Sequence, residues 1–279
     1  MKLGVDIGSS NLKTDTGFLM PSKIKQGKSL NKSLSLEYEG KHYIIGEGNR
    51  EVEINKAKRE TNLLFIYSVI GAVSDDIENE IAVGLPIGQY QQQKEEYRQF
   101  IMDNNFNVIR VNGIEKPINI TDVIVCPEGL SSVTTDYTGI IVDIGGRTTD
   151  ICLLADRKVI NPISKPVGTL NLYAEIINSI NASYSLDLHE EEAERIIKNG
   201  LKIDGEMQNI KFIYDILAAF TDDLINTLKL NYSLRTNELL LIGGGGELFY
   251  NSIKKRAKQV QLIENSLFSN AKGFRRALK

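Results

Sequence analysis

The chain has 279 residues, of which 42% are apolar and 25% charged, and carries a net charge of −3. That length exceeds one small core and suits two compact domains. No apolar run is long enough to span a bilayer, the N-terminal MKLGVDIG lacks a signal-peptide core, and the slight negative charge speaks against coating nucleic acid by bulk electrostatics; a cytoplasmic chain without a membrane partner is expected.

A first strand is predicted over KLGVDI, turning through Gly8, Ser9, Ser10 and Asn11 into the returning run LKTDTGF. LSLEYEGKHYIIGEG alternates in polarity and turns at Glu39-Gly40. A helix is predicted from about 56 to 73, where NLLFIYSVIGAV is apolar nearly all round and therefore buried. NEIAVGLP reads as a buried strand ending at Pro86, and QYQQQKEEYRQFIMDN as an amphipathic helix by the spacing of Tyr90, Tyr97, Phe100 and Ile101. A hairpin turns at Asn112-Gly113, and a strand runs on into IVCPEGL. GIIVDIGGRTTDICLL gives a second strand, turn and strand, followed by a strand over 158–164. Residues 170–199 read as helical, first TLNLYAEIINSI and then the charged HEEEAERIIKNG, closed by Gly200. A long helix is predicted from about 208 to 232, with Ile213, Phe220, Leu224 and Leu228 in helical period. ELLLIGGGGELF is a buried strand, a glycine turn and a helix. The order hairpin, helix, strand occurs twice, from residue 3 and from residue 139. Two related α/β domains with a cleft between them are the economical expectation.

Two segments share one grammar: VDIGSSN at 5–11 and VDIGGRTTD at 142–150. Glycine lets the backbone approach a phosphate, and successive turn N–H groups then point at the anion. Carboxylates beside phosphates repel them unless a cation lies between, so Asp6 and Asp143 suit a hydrated Mg²⁺, which needs few direct protein ligands. Lys13, on the returning strand, can reach the phosphates as a point charge. Either segment alone reads equally well as a plain hairpin turn; the repetition favours the phosphate reading. Glu128 stands just past a strand end, where an acid can face a cleft and orient a water, or else serve as a helix-capping or surface glutamate. The glycines of LIGGGGELF let a flat ligand lie on bare backbone. A Rossmann site is disfavoured and a P-loop is excluded by pattern. Cys126 and Cys152 lie in apolar runs and read as buried free thiols, and no Cys/His cluster suggests zinc.

In this order the motifs resemble the actin, Hsp70 and sugar-kinase ATPase superfamily, and within it the bacterial actin-like plasmid-segregation proteins of the ParM/StbA kind. The resemblance runs nearly end to end, through VDIGSSNLK, AVGLPIGQYQQQKEEYRQFI, VIVCPEGLSSV, GIIVDIGGRTTDICLL, LLLIGGGGELFYNSIKK and FSNAKGF. It implies an α/β actin-like ATPase fold, two related RNase H-like domains around a nucleotide cleft. Residues 1–136 and 266–279 would form domain I and 137–265 domain II, whose outer subdomain, about 181–207, is reduced. It implies that Asp6 and Asp143 hold Mg²⁺ through water and that Glu128 positions the attacking water. Gly8, Ser9, Ser10, Asn11 and Lys13 would bind phosphates on one side, with Gly145, Gly146, Arg147 and Thr148 on the other. Gly243, Gly244, Gly245, Gly246 and Glu247 would lie near the adenosine. Arg147 stands where many relatives carry a small residue, and reads either as a phosphate contact or as a cleft salt bridge; Asp150 reads less clearly, as a stabiliser of its hairpin. The implied activity is hydrolysis of ATP, or GTP, coupled to head-to-tail filament assembly, with a DNA-binding adaptor as partner and segregation of low-copy plasmid DNA as the task. A small-molecule kinase and a nucleotide-binding filament with little turnover are the alternatives. The basic tail KGFRRALK reads as a solvated surface helix rather than a contact to a neighbour, an adaptor or DNA.

Overall fold

A computed structural model of the chain describes residues 1–28, 33–53 and 55–279. The strands β1 (Lys2–Ile7), β2 (Asn11–Thr14), β3 (Leu19–Pro21), β4 (Ile24–Gln26), β5 (Leu34–Tyr38) and β6 (Lys41–Ile45) precede α1 (Asn62–Val73), β7 (Glu78–Leu85) and α2 (Ile87–Asp103). The hairpin β8 (Phe106–Val111) and β9 (Ile114–Pro127) completes the first half. Together these strands form one sheet in the order β3-β2-β1-β7-β9-β8-β5-β6-β4. The second half holds β10 (Gly139–Ile144), β11 (Thr149–Ala155), β12 (Lys158–Lys165), α3 (Thr169–Tyr184) and α4 (Ala193–Asn199). The short β13 (Lys202–Ile203) and β14 (Glu206–Met207) follow, then α5 (Lys211–Asn231), β15 (Leu239–Ile242), α6 (Gly244–Lys254), β16 (Val260–Leu262) and α7 (Ser269–Ala277). Its sheet runs β12-β11-β10-β15-β16.

The twofold repetition in the sequence is a repetition of topology. In each half, three antiparallel strands in chain order are followed by two parallel ones: β3-β2-β1-β7-β9 in the first, β12-β11-β10-β15-β16 in the second. Parallel neighbours require crossovers, and those carry the helices that cover the sheets. The first sheet alone is extended, by β8, β5, β6 and β4. Its core packs Val5, Leu12, Phe65, Ile66 and Ile81, whereas Ile140, Val142, Phe220, Leu224 and Phe249 fill the second. A third cluster, of Ile176, Ile177, Ile180, Ile196 and Ile213, supports the small outer part around β13 and β14.

Several boundaries differ from expectation for local reasons. The helix predicted from about 56 begins at Asn62, because residues 56–58 form a separate 3₁₀ turn with extended backbone at Arg59. The helical stretch 170–199 breaks at Ser185, which is left-handed at φ 53°, and the Asn181 side chain clamps both backbone groups of Leu188 beyond it. Asn112 and Gly113 both have positive φ, as a two-residue type I′ hairpin needs. Strands β3, β4, β13, β14 and β16 are two or three residues each, too short for a periodic signal. The basic tail is not simply solvated: α7 packs Ala271 and Phe274 against the first sheet and Gly273 against the backbone of Ser131, and a Cβ on Gly4 of β1 would lie 2.1 Å from the Ala271 carbonyl oxygen. Both cysteines are free and buried, and burial pushes their thiols up to about 11 at Cys126 and about 12 at Cys152. Among the described residues no helix is long and apolar enough to cross a membrane.

Candidate functional site

The two hairpins open into a single cleft of about 840 Å³ lined from both sheets. Strand geometry places them alike. Asp6 and Asp143 each stand one residue before the end of a central strand. Two residues on, Gly8 N–H donates to the Asn11 carbonyl at 3.1 Å, and Gly145 N–H to the Thr148 carbonyl at 2.9 Å. The turns press together: a Cβ on Gly146 would lie 2.2 Å from Ser10 Oγ and 2.9 Å from Ser10 N, so only glycine fits. Ser10 Oγ is buried there with no hydrogen-bond partner. The start of α3 fixes the second turn, since Thr169 and Leu170 N–H donate to the Gly145 and Gly146 carbonyls at 3.0 and 2.8 Å.

Of the residues expected at the site, Asp6, Gly8, Ser9, Ser10, Asn11, Lys13, Glu128, Asp143, Gly145, Gly146, Arg147, Thr148, Gly243, Gly244, Gly245 and Glu247 line this cleft. Gly246 does not; its α-carbon faces Leu241 and Leu262. Helix α6 begins at Gly244, so most of the glycine run lies in its first turn and serves helix packing as well. Gly243 is the turn proper, with φ 78° and Asp143 Oδ1 only 2.3 Å from where a Cβ would sit. Glu247 accepts a hydrogen bond from Ser266 Oγ at 3.2 Å.

The acids of the two hairpins live differently. Asp6 forms an ion pair with Lys13 across the β1–β2 ladder, 2.6 Å between Oδ2 and Nζ. Burial works against the Lys13 charge, but Asp6, with Asp143 and Glu128 beyond, holds its pKa above the ordinary lysine value. Asp143 faces another acid, Asp150, in the β10–β11 register. Burial raises Asp143 to about 6, although Asn270 Nδ2 donates to its Oδ2 at 2.8 Å. Burial raises Asp150 to about 7; Thr148 Oγ1 donates to its Oδ2 at 3.2 Å, while Oδ1 has no hydrogen-bond partner.

Four residues absent from the sequence expectations also act here. Lys56 pairs with Glu128, and Arg59 Nη2 donates to Ser9 Oγ at 3.1 Å. Arg50 Nη1 donates to the Ser10 carbonyl at 2.6 Å. Asn270 ties Asp143 to the loop after Glu128 by accepting from Gly129 N–H at 2.8 Å. FSNAKGF flags the last of these, but nothing periodic or repeated marks the three cations. Arg147 makes no ion pair among the described residues, so the cleft salt bridge that the sequence left open is not formed. Burial lowers the pKa of both Arg50 and Arg59, and the Arg147 charge lowers each further. Arg147 thus adds positive charge beside Arg50 and Arg59, whose own charges face Glu190 and Glu128, and all three line the cleft at the two glycine turns.

A metal finds no direct cage of three or more acidic, His or Cys ligands among the described residues. Burial holds Asp143 and Asp150 above their usual range, Asp150 despite the Ser164 and Thr148 side chains, so a nearby cation would stabilise their charged forms; with so few carboxylates the set fits a hydrated Mg²⁺ rather than a direct cage. At the cleft mouth, Lys23 pairs with Glu191, and Arg50 Nε lies 3.6 Å from Glu190 Oε1, joining the first sheet's outer strands to the turn before α4.

Paired sheets of one topology, with a hairpin from each meeting in the cleft, define an actin-like fold. The chain belongs to the actin-like proteins: residues 4–130 match the family model "Actin like proteins N terminal domain", and residues 141–255 match "Archaeal actin homologue MreB-like, C-terminal". The crystal structure of the archaeal actin homologue Ta0583 is similar, with 20% identity and a TM-score of 0.84 over 99% of this chain and 98% of that one. Its complex with ADP aligns with 19% identity and a TM-score of 0.82, covering 100% of this chain and 99% of that one. A 15-stranded ParM filament from Clostridium botulinum aligns with 19% identity and a TM-score of 0.80, covering 99% and 98%. None of the curated proteins matches the sequence.

Proposed function

We propose that the cleft binds ATP with Mg²⁺ and hydrolyses it, and that nucleotide state controls head-to-tail assembly of the chain into filaments. The observation that carries this reading is the meeting of two glycine hairpins, related by the internal repeat, in one cleft that Arg50, Arg59 and Arg147 also line. The turn amides of 8–11 and 145–148 cradle the phosphates, with Lys13 and the guanidiniums as counter-charge. Asp6 and Asp143 would hold Mg²⁺ through water, and Glu128 would orient the attacking water. Bound Mg²⁺ supplies neutralisation of the phosphate charge that develops in the reaction. Phosphoryl transfer needs positioning and electrostatics more than reactive side chains, which suits this residue set. Gly243, Gly244 and Glu247 lie on the side where the adenosine would rest. The ADP complex of the archaeal homologue supports nucleotide as the ligand, and the ParM filament supports assembly.

We assign residues 1–136 and 266–279 to one domain and 137–265 to the other; the packing of α7 on β1 and β7 supports the return of the chain end to the first domain. A heterologous head-to-tail contact that does not close gives an open filament. Segregation of low-copy plasmid DNA in the cytoplasm through a DNA-binding adaptor is the biological task we infer from the ParM likeness. Light scattering with parallel phosphate release, after adding ATP and Mg²⁺ to the purified protein, tests the reading. Scattering that rises and then decays with phosphate release is expected. Phosphate release with flat scattering removes the filament, and neither signal removes both.

A further inference from the structure

The 3₁₀ turn at 56–58 brings one cation to the catalytic side of the cleft and is itself unusually well held. Lys56 N–H donates to Gln89 Oε1 of α2 at 3.0 Å, and its carbonyl accepts from Asn62 Nδ2 of α1 at 2.7 Å. Asn62 is fully buried. From this clamped backbone the Lys56 side chain, 3% exposed, reaches Oε1 of Glu128, itself 13% exposed. Glu128 Oε2 has no protein partner among the described residues. Lysine is almost never this buried unless paired, and ordering its long side chain costs rotamer entropy. Arg59, Lys13, Asp143 and Asp150 all feel the Glu128 charge, and Lys56 is the one cation among the described residues that forms an ion pair with it.

We propose that Lys56 is a positioning residue for hydrolysis: by holding one carboxylate oxygen of Glu128, it fixes the other, Oε2, as the acceptor that orients the attacking water. The inference rests on the ATPase reading of the cleft. Rate depends on such alignment, because in-line attack requires the nucleophile within a narrow range of distance and angle. Lys56 acts through Glu128 and exchanges no proton with the water.

The test is a double-mutant cycle of Lys56→Met and Glu128→Gln, read by steady-state phosphate release, by ATP and ADP affinity, and by thermal melting of the nucleotide-free protein. Lys56→Met is expected to lower kcat by about 100-fold, the cost of misplacing a positioning group by about 1 Å, with nucleotide affinity and KM nearly unchanged. In the Glu128→Gln background the same change is expected to lower kcat no further. Lys56→Arg, which keeps the charge, is expected to recover part of the rate. Full additivity of the two changes, a loss of affinity equal to the loss of rate, or an unaltered kcat overturns the proposal. Should Lys56→Met melt below the assay temperature, the double variant, which leaves no unpaired charge, is compared with Glu128→Gln alone; equal rates support the proposal and a further drop overturns it. Wild-type protein that releases no phosphate sinks the ATPase reading instead, and melting of the cycle then shows only whether the ion pair is coupled.

Discussion

The two glycine hairpins share a backbone pattern and differ in electrostatics. Each places an aspartate one residue from the end of a central strand and closes with the same glycine-to-carbonyl bond. Across the ladder, however, Asp6 meets Lys13, whereas Asp143 meets Asp150. The first hairpin neutralises its acid internally; the second holds two buried carboxyls, raised to about 6 and about 7. Backbone geometry is thus what the repeat preserves, down to the glycine-to-carbonyl bond of each turn. The cross-strand residue decides whether the aspartate meets a cation, as Asp6 meets Lys13, or a second carboxyl, as Asp143 meets Asp150.

Substitutions that erase this asymmetry have the largest expected effect. Lys13→Met leaves Asp6 buried without its partner, and breaking such a pair costs about 3–5 kcal/mol; denaturant unfolding of the nucleotide-free protein measures it, and a loss below about 1 kcal/mol would mean that the pair does not hold the first hairpin. On the second hairpin the sign reverses. Folding raises the pKa of Asp143 and Asp150, so their contribution is fully present below the unfolded value near 3.8 and is lost as pH rises through about 6 and about 7. Asp150→Asn is therefore expected to stabilise the nucleotide-free protein at pH 8 by about 1–3 kcal/mol and to flatten the fall in melting temperature between pH 5 and pH 8, at about 1.4 kcal/mol per unit of pKa difference. An unchanged slope would place that titration elsewhere.

Contact between the hairpins can be broken without touching any charge. Gly146→Ala drives a Cβ into Ser10 Oγ and the Ser10 backbone nitrogen, and overpacking of this kind costs about 1–3 kcal/mol. Calorimetry should show nucleotide affinity falling along with stability, because the turns that share the phosphates are forced apart. The smallest effect on folding is expected for Ser10→Ala. Its buried hydroxyl has no partner, so removing it is close to neutral for the free protein. If that hydroxyl donates to a phosphate, nucleotide affinity falls by about tenfold, equivalent to about 1.4 kcal/mol. Equal affinities of variant and wild type would show that the phosphates are held by backbone alone.

Much of the candidate site was legible because glycine turns are local. VDIGSSN and VDIGGRTTD carry their glycines, hydroxyls and acids within a few residues, and the cleft receives them as those spacings imply. The long elements were legible for a similar reason: NLLFIYSVIGAV and the period of Ile213, Phe220, Leu224 and Leu228 are burial patterns that survive in α1 and α5. Lys56, Arg59 and Arg50 were not legible. They lie in a segment whose composition resembles a helix start and an exposed loop, and their roles come from residues far along the chain: Glu128, Ser9, Ser10 and Glu190. Arg147 shows the limit from the other direction. Its motif position was plain, but only the fold reveals that no carboxylate pairs with it and that two other guanidiniums stand nearby.

By itself, then, the sequence determined the repeated strand–turn–strand units, the acids beside them and the α/β class, since hydrophobic period and turn chemistry act over neighbouring residues. Tertiary structure decided which charges are neutralised, that Gly146 must be bare for Ser10 to approach, that the last helix closes on the first strand, and that a buried lysine from a 3₁₀ turn holds Glu128. Those outcomes depend on desolvation and on contacts between distant segments, and a charge's partner across a cleft leaves no periodic trace in the chain that carries it.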